Sequence, residues 1–107
     1  MPFMAIYRRD DISAAEYDKF RAAVPLEAAP LGSLSHIHAR LGDEFVSIDV
    51  WEDAEALAAF NKDVLKPATE ALGHAFVDPQ IVEVETFVVT PATNAYGLPF
   101  VQVAEPA

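Results

Sequence analysis

The stretch SHIHARLGDEFVSIDVWEDAEALAAFNKDVLKPATEALG, residues 35–73, decides the fold. It reads as a strand, a tight turn, a second strand and a long amphipathic helix. It carries two of the three histidines and the only tryptophan. His36 to Leu41 alternates polar and apolar, and so does Glu44 to Trp51; a period of two marks a strand with two different faces. Gly42-Asp43 between them suits a two-residue hairpin turn, because Gly accepts positive φ at the first turn position. That turn sets the register. Leu41 opposes Glu44, Arg40 opposes Phe45, His38 opposes Ser47 and His36 opposes Asp49. Opposed residues share a face, with Cβ atoms about 5 Å apart.

One face of the hairpin then carries Ile37, Ala39, Leu41, Val46, Ile48 and Val50, and it is expected to be the core face under the helices. The other carries His36, His38, Arg40, Phe45, Ser47, Asp49 and Trp51. It is too polar for an ordinary core and too aromatic for a plain solvated surface. A slip of one residue in register exchanges the two faces.

A chain of 107 residues is long enough for one domain with its own core. Seventeen acidic residues against seven Lys and Arg give a net charge of −10. That balance argues against nucleic acid as a partner, since phosphate binding needs clustered cations, and against an anionic membrane surface. Cysteine is absent, which removes disulfides, thiolate nucleophiles and Cys-based metal sites. No basic region followed by an apolar run marks the N-terminus, and no apolar segment approaches 18 residues, so a soluble cytoplasmic protein is expected.

Phe3 to Arg9 reads as the first strand, ended by Asp10-Asp11. A helix follows from Ser13. Ser13 and Glu16 have capping-box spacing, and Ile12 and Tyr17 have the spacing of a hydrophobic staple. Tyr17, Phe20 and Val24 form its apolar stripe, and Pro25 stops it. Leu26 to Leu34, with Pro30 and Gly32, is expected to be a loop. After the hairpin, Asp53 is a natural N-cap and Glu55 is favourable in the first turn. Leu57, Phe60, Val64, Ala68 and Ala71 give the buried stripe of the second helix. Pro67 removes a backbone donor inside that pattern and should kink or break the helix near Lys62–Lys66. Gly73 suits the C-terminal cap. Ile81 to Val89 reads as a fourth strand, and Leu98–Val103 as a short extra one.

The order β-α-β-β-α-β matches the α+β, ferredoxin-like split βαβ arrangement: a four-stranded antiparallel sheet with two helices on one face. Residues 1–90 form the domain and 91–107 a tail. The second sheet face needs a cover. An exposed apolar patch of several hundred Å² usually marks an interface, so a homodimer through the sheet face is expected, with Leu98–Val103 reaching the partner subunit.

Val-Ser-Ile-Asp-Val-Trp-Glu-Asp at 46–53, then Phe60, then Val64-Leu65-Lys66-Pro67-Ala68, resembles the strand-into-helix motif of the dimeric α+β-barrel superfamily, near the antibiotic-biosynthesis-monooxygenase-like proteins. Ile12–Phe20, with Glu16-Tyr17, fits the same pattern, and element order extends the resemblance over roughly residues 3–89. It implies a dimeric α+β barrel. Proteins of this kind include cofactor-free oxygenases of polycyclic phenols, haem-degrading enzymes, decarboxylases, isomerases and proteins with no known reaction, so the shared fold does not settle function. The haem-degrading members use an Asn, a Trp and a His; no Asn lies on the first strand here, which disfavours that activity. The expectation is a monooxygenase-like enzyme with no bound redox cofactor and no metal, acting on a small aromatic or polyketide-like molecule. The alternative is a small-ligand-binding or stress-associated protein of the same fold without catalysis.

His36 and His38 are the candidate catalytic bases. At i and i+2 on a strand they point the same way, and Asp49 lies across from His36. An Asp–His pair holds one imidazole tautomer and tunes it as a base near neutral pH. Such a base can deprotonate a phenol or an acidic carbon, whose anion can pass an electron to O₂. Both histidines can equally sit inert in the dimer seam. His36, His38 and Asp49 also match a two-His-one-carboxylate metal set, a pattern that recurs by chance on strands. Tyr7, Trp51 and Phe60 are the candidate substrate contacts, Trp51 as an aromatic wall; packing against the next helix is its plainer role. Arg9 suits either a substrate anion or solvent, Arg40 an acidic partner and His74 a helix C-terminus. Phe20, Phe60 and Phe76 suit a pocket between helix and sheet, or plain core. Glu83 and Glu85 fit a solvated strand edge. Neither a phosphate-binding loop, a nucleophile elbow nor a nucleotide fingerprint is present.

Overall fold

The hairpin marked out by the sequence is present, in the expected register, in the computed structural model, which describes residues 1–23 and 32–93. Gly42 has φ 64° and Asp43 does not share the positive sign, which suits a turn of type II′. Leu41 then pairs with Glu44, His38 with Ser47 and His36 with Asp49. Around this hairpin the chain runs β1 (Phe3–Arg9), α1 (Ala14–Ala23), β2 (Ser33–Leu41), β3 (Glu44–Trp51), α2 (Ala54–Phe60), a π-helical turn (Asn61–Leu65), α3 (Lys66–Ala71) and β4 (Gln80–Glu83). The sheet order is β2-β3-β1-β4, every neighbouring pair antiparallel. This is a small α+β fold of ferredoxin-like topology.

The helix ends form as their sequences dictate. Ser13 and Glu16 close a capping box: the Glu16 N–H donates to Ser13 Oγ at 3.2 Å and the Ser13 N–H to Glu16 Oε1 at 2.9 Å. Asp53 Oδ1 accepts from the Ala56 N–H at 2.8 Å, capping α2. At the far end Gly73 has φ 86°, its N–H donates to Glu70 O, and the His74 N–H donates to Thr69 O, a complete Schellman motif.

Pro67 acts one turn upstream of itself. Having no N–H, it cannot continue the α-helical ladder. The backbone widens ahead of it, and the Lys66 N–H donates to Asn61 O, five residues back. The extra residue in this π turn shifts the phase of everything after it. The expected stripe of Leu57, Phe60, Val64, Ala68 and Ala71 is therefore corrected past Phe60. Leu57 is buried and Phe60 packs on the core as expected, but Leu65 and Thr69 take the inward places while Val64 is 38% exposed.

Two further boundaries differ from expectation. β2 starts at Ser33, so the preceding loop is shorter. β4 covers Gln80–Glu83 and not Ile81–Val89. Its partner β1 pairs Phe3 with Glu83, and one more bond runs from the Val84 N–H to Pro2 O, beyond which Pro2 has no N–H to extend the ladder. Val24, Pro25 and the expected strand Leu98–Val103 lie outside the described residues.

The larger correction concerns the faces of the sheet. The helices cover the mixed face, not the aliphatic one. Ala5, Tyr7, Phe45 and Trp51 of the sheet form one buried cluster with Tyr17 of α1 and Leu57 of α2. Ile37 and Leu41, expected in the core, are 60% and 67% exposed. The register is right, so nothing slipped; the helices chose the face whose aromatic rings bury the most area per residue. Phe45, Trp51 and two tyrosines outweigh the desolvation of Asp49 and Ser47, because both of these polar groups find hydrogen-bond partners there.

Gly32 shows how tightly the cover is seated. It has φ 89°, and a Cβ built on it would lie 2.6 Å from the Ala56 Cβ. Its carbonyl also accepts from the Glu52 N–H at 2.7 Å. Gly32→Ala combines a left-handed backbone penalty with an overpacked contact, so we expect a loss of about 2–4 kcal/mol in urea unfolding.

Candidate functional site

The covered face encloses a cavity of about 110 Å³ between the sheet and the helices. Its floor is β1 and β3, and Tyr7, Ser47, Asp49 and Trp51 reach it from there. Tyr17 and Phe20 of α1, Phe60 and Leu65 of the second helical run, and Phe76 after it supply aromatic and aliphatic walls. His36 enters from β2.

His36 and Asp49 meet as the ladder register requires. His36 Nδ1 lies 2.5 Å from Asp49 Oδ1, and the Ser47 hydroxyl lies 3.5 Å from the same oxygen. An ionised carboxylate only accepts, so Nδ1 carries the proton and donates it. Nε2 is then the lone-pair nitrogen. The Tyr17 hydroxyl lies 3.4 Å from it. Asp49 is itself buried.

Tyr7 stands opposite Ser47 and donates from its hydroxyl to Asn61 Oδ1 at 2.6 Å. Burial, then the negative charge of Asp49, pushes the Tyr7 hydroxyl well above the ordinary tyrosine range. Tyr7 therefore stays a neutral donor at neutral pH. Asn61 is the first residue of the π turn, so the irregularity caused by Pro67 falls where this hydrogen bond is made.

Of the residues marked from sequence, His36, Asp49, Tyr7, Trp51 and Phe60 are brought together around one cavity. His38 is not. Its ring stacks on Tyr17 with centroids 3.8 Å apart and tilts against Phe45 at 4.7 Å, outside the cavity lining. Burial first, then the charge of Arg40, holds its pKa below the ordinary histidine value, so it is a neutral packing ring at pH 7. Among the described residues no group of three His, Asp or Glu is placed to hold a metal ion. Trp51 is 2% exposed and tilts against Phe60 at 5.1 Å, combining the packing and wall roles.

The polar residues at the edge of the site are committed elsewhere. Arg40 donates to the Ile12 carbonyl at 2.7 Å; the expected partner was an acid. Arg9 donates to both Asp11 oxygens, at 2.6 and 2.8 Å, and to the Ala75 carbonyl at 2.7 Å, which replaces the solvated strand end expected for it. These Arg9 hydrogen bonds hold the Asp11 carboxyl down to about 2. His74 reaches the α1 capping residue, its Nε2 lying 2.7 Å from Glu16 Oε2. Together these ties pin the 74–77 segment, which brings Phe76 and Val77 to the cavity.

The sequence reading missed two site residues. Asn61 lies four residues after Leu57, so the helical spacing that marks Leu57 as buried also pointed to it. Tyr17 was read as helix stripe, although the staple spacing that fixes it was visible.

No family model matches the chain, and no curated protein matches it. Among solved structures it is similar to NE2512, a protein of unknown function from Nitrosomonas europaea. The two share 22% sequence identity with a TM-score of 0.52, over 83% of this chain and 89% of that one. This likeness concerns the fold alone. No helix among the described residues is long and apolar enough to cross a membrane.

The Tyr7 environment gives a stability prediction. Its folded pKa lies above the unfolded value of about 10. The stabilisation of the neutral hydroxyl is complete below pH 10 and is lost as pH rises toward the folded pKa, because the unfolded chain then holds fewer protons. Urea midpoints should fall as pH rises above 10, and Tyr7→Phe should flatten that fall.

Proposed function

We propose that the protein is a small enzyme without a bound redox cofactor, in which His36, oriented by Asp49, deprotonates a phenolic substrate of one or two rings. The observation that carries this reading is the 2.5 Å contact of His36 Nδ1 with buried Asp49 beside an aromatic-walled cavity; it turns Nε2 into the nitrogen that can serve as base. A neutral donor, Tyr7, lines the same space. A carrier protein needs only the aromatic walls; the buried carboxylate that orients the base is surplus to that role.

Cavity size narrows the substrate. One water-sized position takes about 10–15 Å³ on this measure, so 110 Å³ accommodates on the order of ten heavy atoms. A naphthol fits; larger polycycles have to protrude. Deprotonation gives an electron-rich naphtholate, which can pass an electron to O₂. For 1-naphthol the balanced outcome is 1-naphthol + O₂ → 1,4-naphthoquinone + H₂O. A C4–O bond forms, the O–O bond breaks, and the C4 and hydroxyl hydrogens leave in water. O₂ is the oxidant and the substrate supplies all the electrons.

Oxygen uptake with 1-naphthol tests the reading. His36→Gln should lower kcat about 10²–10⁴-fold, as loss of a general base does, and Asp49→Asn should lower it comparably by releasing the wrong tautomer. Wild-type protein that binds the naphthol without consuming O₂ would favour the ligand-binding alternative.

The dimeric barrel belongs to the same proposal, with its seam moved to the aliphatic face. Met4, Ile6, Ile48 and Val82 lie on the sheet side away from the helices, beside exposed Ile37 and Leu41. An open aliphatic face of this kind is suited to a second copy. The Arg8–Glu44 ion pair, Nε to Oε1 2.7 Å, lies at its rim. Light scattering should give twice the chain mass for the wild type and the chain mass for Ile48→Asp.

A further inference from the structure

Tyr17 and His36 line the same cavity side by side. The capping box of Ser13 and Glu16 fixes the first turn of α1, and the Tyr17 N–H donates to Ser13 O at 2.9 Å. This places the ring over the sheet, where it is 7% exposed. Below it the neutral His38 ring stacks at 3.8 Å with an 18° interplanar angle, and Phe45 tilts against it at 5.3 Å. On the same helix, one turn on, the Arg21 guanidinium carbon lies 5.9 Å from the ring centroid. The hydroxyl ends 3.4 Å from His36 Nε2, and the ring lines the same cavity as His36 and Asp49.

Three constraints meet at that hydroxyl. His36 Nδ1 is occupied by Asp49, so only Nε2 can accept a proton. Tyr17 Oη is a polar group within reach of Nε2, at 3.4 Å. Tyr17 Oη also has a free lone pair while its proton points at the nitrogen. Building on the phenol-deprotonating role of His36, we infer that Tyr17 is the catalytic group that touches the substrate, and that Asp49, His36 and Tyr17 form a relay.

The transfer balances without a further reactant. The substrate O–H bond breaks and its proton passes to Tyr17 Oη. The Tyr17 O–H bond breaks and its proton passes to His36 Nε2. The electron pair of the broken substrate bond stays on the substrate oxygen, and the imidazolium faces an ionised Asp49. The 3.4 Å separation closes in the transferring complex, since catalytic hydrogen bonds are often long before substrate binds. Arg21 above the ring supplies positive potential where negative charge passes through the phenol. The relay selects substrates that present a hydroxyl to the wall formed by α1. A methyl ether of the same ring system then binds and is not turned over.

Tyr17→Phe removes one oxygen and keeps the ring that stacks on His38. With 1-naphthol we expect kcat to fall about a hundredfold, with KM changed less than threefold. Adding His36→Gln to Tyr17→Phe should cost little more, because members of one relay fail as a unit. A Tyr17→Phe kcat within twofold of wild type, with His36→Gln inactive, overturns the relay and leaves His36 as the direct base. If wild-type protein takes up no oxygen, the proposed activity fails, and ¹⁵N NMR of the histidine rings decides the relay without turnover. The expected spectrum shows His36 protonated on Nδ1, with its Nε2 resonance displaced by several ppm in Tyr17→Phe. The opposite tautomer, or an Nε2 resonance that does not move, overturns it.

Discussion

The pairing of His36 with Asp49 across the β2–β3 ladder is the constraint on which the rest of the site depends. It is a backbone consequence. Gly42 supplies the positive φ, the turn fixes the register, and the register delivers the two side chains to one face six residues from the loop. A carboxylate buried this deeply is tolerated only with hydrogen-bond donors at hand, and His36 Nδ1 and the Ser47 hydroxyl are both there. Once Asp49 is satisfied this way, the tautomer of His36 is no longer free to vary. The chemistry open to the cavity follows from that single loss of freedom.

Most of the scaffold was legible because its signals are local. The hairpin register, the Ser13–Glu16 box, the Asp53 cap, the Gly73 cap and the disturbance ahead of Pro67 each rest on a few neighbouring residues with one physical outcome. The choice of face was not legible, because it is a global competition. Ile37, Leu41 and Ile48 argue for burial on one side; Phe45, Trp51, Tyr7 and Tyr17 argue for it on the other. Residue-by-residue hydropathy favours the aliphatic side, whereas ring area and partners for Asp49 favour the other. Only the docked helices decide between them. The inward places of Leu65 and Thr69 were illegible for a related reason: a π turn moves the helical phase by one residue, and no periodicity argument carries through it.

The inverted faces divide the labour within the sheet. The aromatic, titratable face is closed by the chain's own helices, which keeps the base, its carboxylate and Tyr17 in surroundings where electrostatic interactions are strong. The aliphatic face is left without a helical cover, with Ile37 and Leu41 exposed. In the proposed dimer the cavities would therefore lie on the outer flanks, each between one sheet and its own helices, with the seam at the centre. The ties of Arg9 to Asp11 and Ala75, and of His74 to Glu16, hold the wall of that cavity in place from its rim.

In the proposed function a phenolic ligand sits in the cavity under the helices, with its hydroxyl at the His36–Tyr17 pair. A crystal structure with 1-naphthol bound tests this placement. The expected result is the naphthol ring between Phe60, Trp51 and Tyr17, its oxygen within hydrogen-bond distance of Tyr17 Oη or His36 Nε2. A naphthol lodged against Ile37 and Ile48 on the opposite face, or lying in the cavity with its oxygen turned away from both groups, would contradict it.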